Sequence, residues 1–260
     1  RVDNSIRSVL RRTQEHSSVT RMFVILIGSF AFFTVLQPTI FLNPVNLQNI
    51  SVASPEIGVI AIAMMLAMLT GGIDLSLIAI ANMSAITITT LYSGLAAEDP
   101  EAAAQAMPFI VLLGLLVGLA AGAFNGFLIA KLQIVPILAT LGTMQILNGL
   151  AIVWTGGSTL YGAPEALTAI GKAGVLYVPT LFIAFLLTAV AVGVFLNRSS
   201  LGKKLQLLGS NPVAAKYSGI DNAGALFRTY TITGLMGGFA GILFLVRNPT
   251  SSADYGSSYL

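Results

Sequence analysis

Charged residues are placed so sparsely in this chain that they divide it into long neutral runs. No Asp, Glu, Lys or Arg lies between Arg21 and Glu56, nor between Glu56 and Asp74, Asp74 and Glu98, Glu101 and Lys131, or Lys131 and Glu165. Two further runs join Lys172 to Arg198 and Arg228 to Arg247. A helix rises ~1.5 Å per residue, so about 20 apolar residues in a row suffice to cross hydrocarbon. Only 9% of the residues are charged, where soluble domains carry roughly a quarter. A water-facing surface cannot be built from so few charges. The expectation is an all-α, polytopic transmembrane helical protein with about seven crossings, near 22–41, 54–71, 74–94, 107–130, 134–155, 175–196 and 229–246.

The basic residues orient these crossings. With the N-terminus in the cytoplasm, Arg1, Arg7, Arg11, Arg12, Arg21, Lys131, Arg198, Lys203, Lys204, Lys216 and Arg228 fall inside, and Lys172 and Arg247 outside, which accounts for all 13 Lys and Arg. That asymmetry follows the positive-inside rule, and the reverse topology inverts it. The basic residues therefore read as orientation markers, not as a nucleic-acid surface. Residues 1–21 form a polar cytoplasmic arm rather than a cleavable leader, because the apolar stretch behind them is of full span length and has no small-residue exit. Residues 22–260 are expected to form one membrane domain. "AAEDPEAAAQA" and "GGSTLYGAPEALTA" become external loops, and 197–224 becomes a cytoplasmic one.

Helix starts are suggested by "SPE" at Ser54–Glu56, with Glu56 as an interfacial cap, and by Met107–Pro108 and Val135–Pro136. In "GLLVGLAAGAFNG", Gly114, Gly118, Gly122 and Gly126 recur every fourth residue. They share one helix face and admit a neighbouring backbone at close range. Asn125 beside them suits either an interhelical hydrogen bond or a polar path.

"TGGIDLS" interrupts the apolar pattern. Gly71 and Gly72 permit a tight turn, and Asp74 and Ser76 offer acceptors to the N–H groups of the next helix. An ionisable residue near a membrane is also a functional candidate, so Asp74 stands both as a cap and as part of a translocation path with Gly71, Gly72, Ser76 and Asn125. Other chemistry is excluded by what is missing. The chain has no cysteine, and its one histidine, His16, lies in the polar arm. No G-x-x-x-x-G-K-[ST] loop occurs, so this chain cannot hydrolyse ATP by that route. It is read as not an enzyme and as holding no cofactor or metal of its own.

A polar island, "LGSNPVAAKYSGIDNAG", stands between two hydrophobic segments. Asn211 suits a cap, Pro212 the first turn, "VAAKYS" a helix and Gly219 the residue beyond its end. The expected product is a helix of about two turns in the cytoplasmic loop, too short to persist alone in water. It needs a surface to dock on, either a partner protein's or that of its own membrane domain. Ala214 and Ala215 allow close approach, and Lys216 and Tyr217 offer contacts.

The stretches "TGGIDLS", "NGFLIAKLQIVPILATLGTM" and "GKKLQLLGSNPVAAKYSGI" together resemble the permease subunits of ribose-, xylose- and galactose-type ABC importers, over most of the chain from about residue 45. The resemblance implies that Asn211, Ala214, Ala215, Lys216, Gly219 and Ile220 form the coupling helix that docks on a separate ATPase. It also implies a second permease subunit (homodimer or heterodimer), cytoplasmic ATPase subunits holding ATP and magnesium, and a periplasmic or lipid-anchored substrate-binding protein. The setting would be the bacterial inner membrane, among lipid and not nucleic acid. Departures exist: Val213 stands where the family carries an acid, Leu77-Ile78 where it carries Val-Gly, and Asn148 where it often has Arg. Relatives also run on through further membrane segments beyond "YGSSYL".

The leading expectation is therefore an importer permease for a sugar or similar polar solute, with substrate crossing at the dimer interface. The alternative is an ion- or proton-coupled secondary transporter, a class marked by inverted repeats, broken helices and midplane charges. This chain shows one break and no clear repeat. A membrane anchor would explain the hydrophobicity and leave the island unexplained. Tyr92, Trp154 and Tyr161 suit sugar faces and interfacial belts equally.

Overall fold

The computed structural model describes residues 2–175 and 178–256, with side chains from residue 19 onward except at 175. Among these residues, seven helices are long and apolar enough to cross a membrane: α1 (Val2–Leu36, apolar from Val19), α3 (Pro44–Met68), α4 (Leu77–Glu98), α5 (Pro100–Ala130), α6 (Pro136–Thr155), α8 (Thr180–Arg198) and α11 (Asn222–Arg247). Shorter helices lie between them: α2 (Pro38–Phe41), α7 (Glu165–Lys172), α9 (Ser200–Ser210) and α10 (Pro212–Tyr217). Two-residue strands at Leu160–Tyr161 and Thr250–Ser251 pair antiparallel.

The chain divides into two compact units, Arg1–Ile50 and Ser51–Leu260, and the division falls within α3. In the first unit α1 runs without interruption from the polar arm into its apolar stretch. Phe41 closes α2 against α1, edge-on to Phe30 at 5.0 Å and stacked on Phe33 at 5.7 Å.

The second unit is centred on α11 and α4. Of their apolar stretches 78% and 72% are buried within the chain, against 6% for α8. Burial of this kind in a membrane protein needs close helix contact more than greasiness, since lipid is itself apolar. The contact is supplied by glycine. A Cβ at Gly118 would stand 2.6 Å from the Gly234 carbonyl oxygen, and one at Gly122 would stand 2.7 Å from Gly234 Cα. Gly126 meets the Phe227 carbonyl at 2.8 Å, while Gly114 faces Ser84 and Ile88 of α4. Ser84 Oγ lies 2.9 Å from the Gly114 carbonyl and 3.1 Å from that of Gly238, joining α4, α5 and α11 at one hydroxyl.

Two helix starts differ from the sequence reading. Pro108 lies inside α5, because Asp99 caps eight residues' worth of earlier helix: its carboxylate accepts the Glu101 and Ala102 amides at 2.9 and 3.0 Å. Pro55 lies inside α3, which begins at Pro44 beside Asn43, whose side chain accepts the Val45 amide at 2.9 Å. Glu56 is therefore no cap. It is wholly buried, and Arg247 at the end of α11 donates to its Oε2 at 3.0 Å. The Tyr255 hydroxyl stands 3.3 Å from both carboxylate oxygens and accepts from Asn248 Nδ2 at 2.7 Å.

Candidate functional site

Between α3 and α4 the chain breaks helix over Leu69–Ser76. Gly71 has φ +84°, a left-handed conformation that disfavours any side chain. Gly72 is demanded by space: the Tyr230 hydroxyl and the Pro136 ring occupy the volume where a Cβ would sit, Pro136 Cβ at 2.8 Å. The break thus nests against the first turn of α6 and the N-terminal half of α11.

The polar side chains turn inward from this break. Asp74 Oδ1 accepts from the Ser76 amide at 3.1 Å and the Ser76 hydroxyl at 2.6 Å. Asp74 Oδ2 accepts from Thr233 Oγ1 on α11 at 2.9 Å. Asn125 on α5 donates Nδ2 to Ser76 Oγ at 2.8 Å. Ser76 makes no side-chain cap bond to α4, because its hydroxyl is already used between Asp74 and Asn125. Thr140 on α6 completes the ring, accepting from the Leu75 amide at 3.2 Å and reaching the Ile73 carbonyl at 3.2 Å.

Asp74, Ser76, Asn125, Thr140 and Thr233 are all buried, and among the described residues no cation pairs with Asp74. An uncompensated buried carboxyl group is costly, and here hydrogen bonds offset the loss of water. The arrangement ties the break to α5, α6 and α11. Of the residues singled out in the sequence, Asp74, Ser76 and Asn125 meet within hydrogen-bonding reach. Gly71, in contrast, is exposed on the outer side of the turn. Thr140 and Thr233 give no sequence signal, since a hydroxyl in a membrane helix most often bonds its own backbone.

The second candidate region is the loop between α8 and α11, which holds two helices rather than one. α9 is capped by Ser199, which accepts the Gly202 amide at 2.9 Å. α10 is capped by Asn211, whose Oδ1 accepts the Val213 and Ala214 amides at 3.0 Å each, with Pro212 in the first turn. Gly219 follows at φ +78°. Leu205 and Leu208 on one face of α9 bury against Ala225 at the start of α11. The pair is therefore seated on its own membrane domain, and α10 does not stand alone.

Seating fixes which face of α10 is free. Ala215 is 4% exposed, so it lies on the face turned toward the rest of the chain. On so short a helix only one residue per turn can face the support, and Ala215 is that residue. Val213, Ala214, Lys216 and Tyr217 point outward, Tyr217 at 88% exposure. Asn222 closes the turn by donating to the Pro212 carbonyl at 2.8 Å.

Residues 46–259 match the model of a family described as branched-chain amino acid transport system / permease component. The chain is 32% identical over 229 residues to the ribose import permease protein RbsC of Bacillus subtilis (strain 168), covering 87% of this chain and 68% of that protein. It is 33% identical over 225 residues to the D-allose transport system permease protein AlsC of Escherichia coli (strain K12), covering 86% and 67%. Against the autoinducer 2 import system permease protein LsrC of Enterobacter sp. (strain 638) the figures are 30% over 235 residues, 88% and 66%. The chain thus spans about two thirds of the length of these relatives. No solved structure matches it significantly. The relatives agree with the resemblance read from the sequence, and with seven apolar helices the protein is a multi-pass protein of the bacterial inner membrane. The chain belongs to the permease-component family of the branched-chain amino acid transport system.

Proposed function

We propose that this chain is the permease subunit of an ATP-binding-cassette importer that carries a sugar or similar small polar solute inward. The observation that carries this reading is the family match, with relatives named as ribose and D-allose permeases among those aligned over most of the chain. The rest of the molecule fits the role. The lysine and arginine asymmetry supports a cytoplasmic N-terminus and a cytoplasmic α9–α10 pair. There, Val213, Ala214, Lys216 and Tyr217 form a small outward-facing surface on a helix already braced by Ala215, Leu205 and Leu208. A braced helix transmits force, whereas a free one of six residues would melt.

In this reading a separate ATPase docks on the outward face of α10, a second permease subunit completes the path, and a binding protein delivers the solute from outside. Coupling then requires that a push on α10 reach the membrane helices. The test is purification of the tagged chain from its own organism's membranes. An ATPase subunit should accompany it, and Tyr217→Ala should reduce that recovery without altering the melting of the permease. An unmodified chain that purifies without any ATPase, while transporting solute down an ion gradient, would overturn the importer reading in favour of a secondary transporter.

A further inference from the structure

The α9–α10 pair touches the Leu69–Ser76 break directly. Gly209, near the end of α9, lies so close to the Leu69 carbonyl that any Cβ would collide with it. The break is in turn held to α6 and α11 by two hydroxyls, and each has a second acceptor within reach on its own helix. Thr233 Oγ1 lies 2.9 Å from Asp74 Oδ2 and 3.0 Å from the Tyr230 carbonyl. Thr140 Oγ1 lies 3.2 Å from the Ile73 carbonyl and 2.9 Å from that of Pro136. A hydroxyl has one proton and gives it to one acceptor at a time. Thr233 can therefore release Asp74, and Thr140 the Ile73 carbonyl, with the hydroxyl proton still satisfied on its own helix, while parting the break from α6 also requires the Leu75 amide to leave Thr140 Oγ1.

Two further features lower the cost of release. When Thr233 turns away, Asp74 Oδ1 keeps both bonds from Ser76, because those come from within the break, and Oδ2 is the one oxygen that gives up its bond. Asn125 Oδ1 is buried without a partner, a spare acceptor beside Ser76. Two arrangements of nearly equal bonding are what a switching element requires.

We propose that the Leu69–Ser76 break is a releasable latch, in which Thr140 and Thr233 are positioning residues that hold it to α6 and α11 in one state and free it in another. α9, through Gly209 on Leu69, is the lever that moves it. This inference rests on the importer reading, since the lever is driven from the ATPase face of α10.

The experiment measures hydrogen exchange across peptide 69–76, in particular at the Leu75 amide that Thr140 protects. It uses the purified permease–ATPase complex, nucleotide-free and trapped with ATP, magnesium and vanadate. In the unmodified chain, exchange should differ several-fold between the two states. Thr233→Val should exchange fast in both states, and Thr233→Ser, which keeps the hydroxyl, should restore the difference. Gly209→Val, which pushes α9 off Leu69, should abolish the nucleotide response. Identical exchange in both states of the unmodified complex, or a native response in Gly209→Val and Thr233→Val, would overturn the latch and leave the importer reading intact. Failure of the unmodified chain to associate with an ATPase would overturn both.

Discussion

Arg247 and Glu56 stand 191 residues apart in sequence and form an ion pair at 3.0 Å, with the carboxylate wholly buried and the guanidinium side chain 31% exposed. The pair is lopsided, and the lopsidedness has a thermodynamic consequence. Removing a partner from a buried pair costs about 3–5 kcal/mol when a charge is left without water or counter-ion. Of the two side chains, only the carboxylate is wholly shut away from water.

Arg247→Met should therefore destabilise the protein more than Glu56→Gln, since the arginine of the second variant still reaches solvent. The Arg247→Met cost should fall below the upper limit, because the Tyr255 hydroxyl remains 3.3 Å from the carboxylate. The double variant should recover part of the loss. Melting of the four proteins in detergent decides it: equal costs for the single variants would mean that Glu56 is not sealed from water.

Helix packing makes a second prediction. Gly122→Leu places a side chain onto the Tyr230 carbonyl and the Gly234 backbone, and should cost upwards of ~1–3 kcal/mol through overpacking. Gly142→Leu, on α6, meets nothing within 4 Å and should melt with the parent. If both variants melt alike, the α5–α11 approach is looser than the distances given above.

Much of this fold is legible in the charge spacing. Each of the seven spans contains the core of a neutral run, and the Gly114-to-Gly126 stripe faces a helix at close range. The partner stripe was equally visible, since "GLMGGFAG" spaces Gly234 and Gly238, then Gly237 and Gly241, four apart in the same manner. Other features leave no local trace. Glu56 gives a capping signal in its own neighbourhood, and only folding brings Arg247 to it. Pro55 and Pro108 look like helix starts until Asn43 and Asp99 are seen to supply earlier ones. At the break, "GGID" marks the turn, but the threonines that hold it lie on remote helices and resemble any other membrane threonine.

The revised geometry of α10 separates two neighbouring alanines. Ala215→Glu should force a charge into the contact between α10 and the membrane domain and lower the melting temperature of the permease by itself. Ala214→Glu, on the outward face, should leave melting unchanged and weaken recovery of the ATPase. A permease with Ala215→Glu that melts normally would return that residue to the docking surface.

Orientation is checked by labelling, which the absence of cysteine makes simple. Cysteines introduced singly at Lys203 and Asp99 should react differently with an impermeant reagent on intact spheroplasts: Asp99→Cys labelled, Lys203→Cys labelled only after lysis. The opposite pattern would invert the topology and remove the α9–α10 pair from any cytoplasmic partner.

The glycine contact at the centre of the bundle also sets a schedule for biosynthesis. Ser84 on α4 reaches the Gly238 carbonyl across 154 residues of chain. At roughly 5–20 residues per second, a ribosome needs on the order of ten seconds to make that stretch. In the later part of that interval, after α5 is made and before α11, the Ser84 hydroxyl has the Gly114 carbonyl within reach and not yet that of Gly238. The insertion machinery must tolerate this half-built pair until α11 emerges and fills the groove. Slowing translation between α5 and α11 would lengthen the exposure of the nascent chain to membrane proteases.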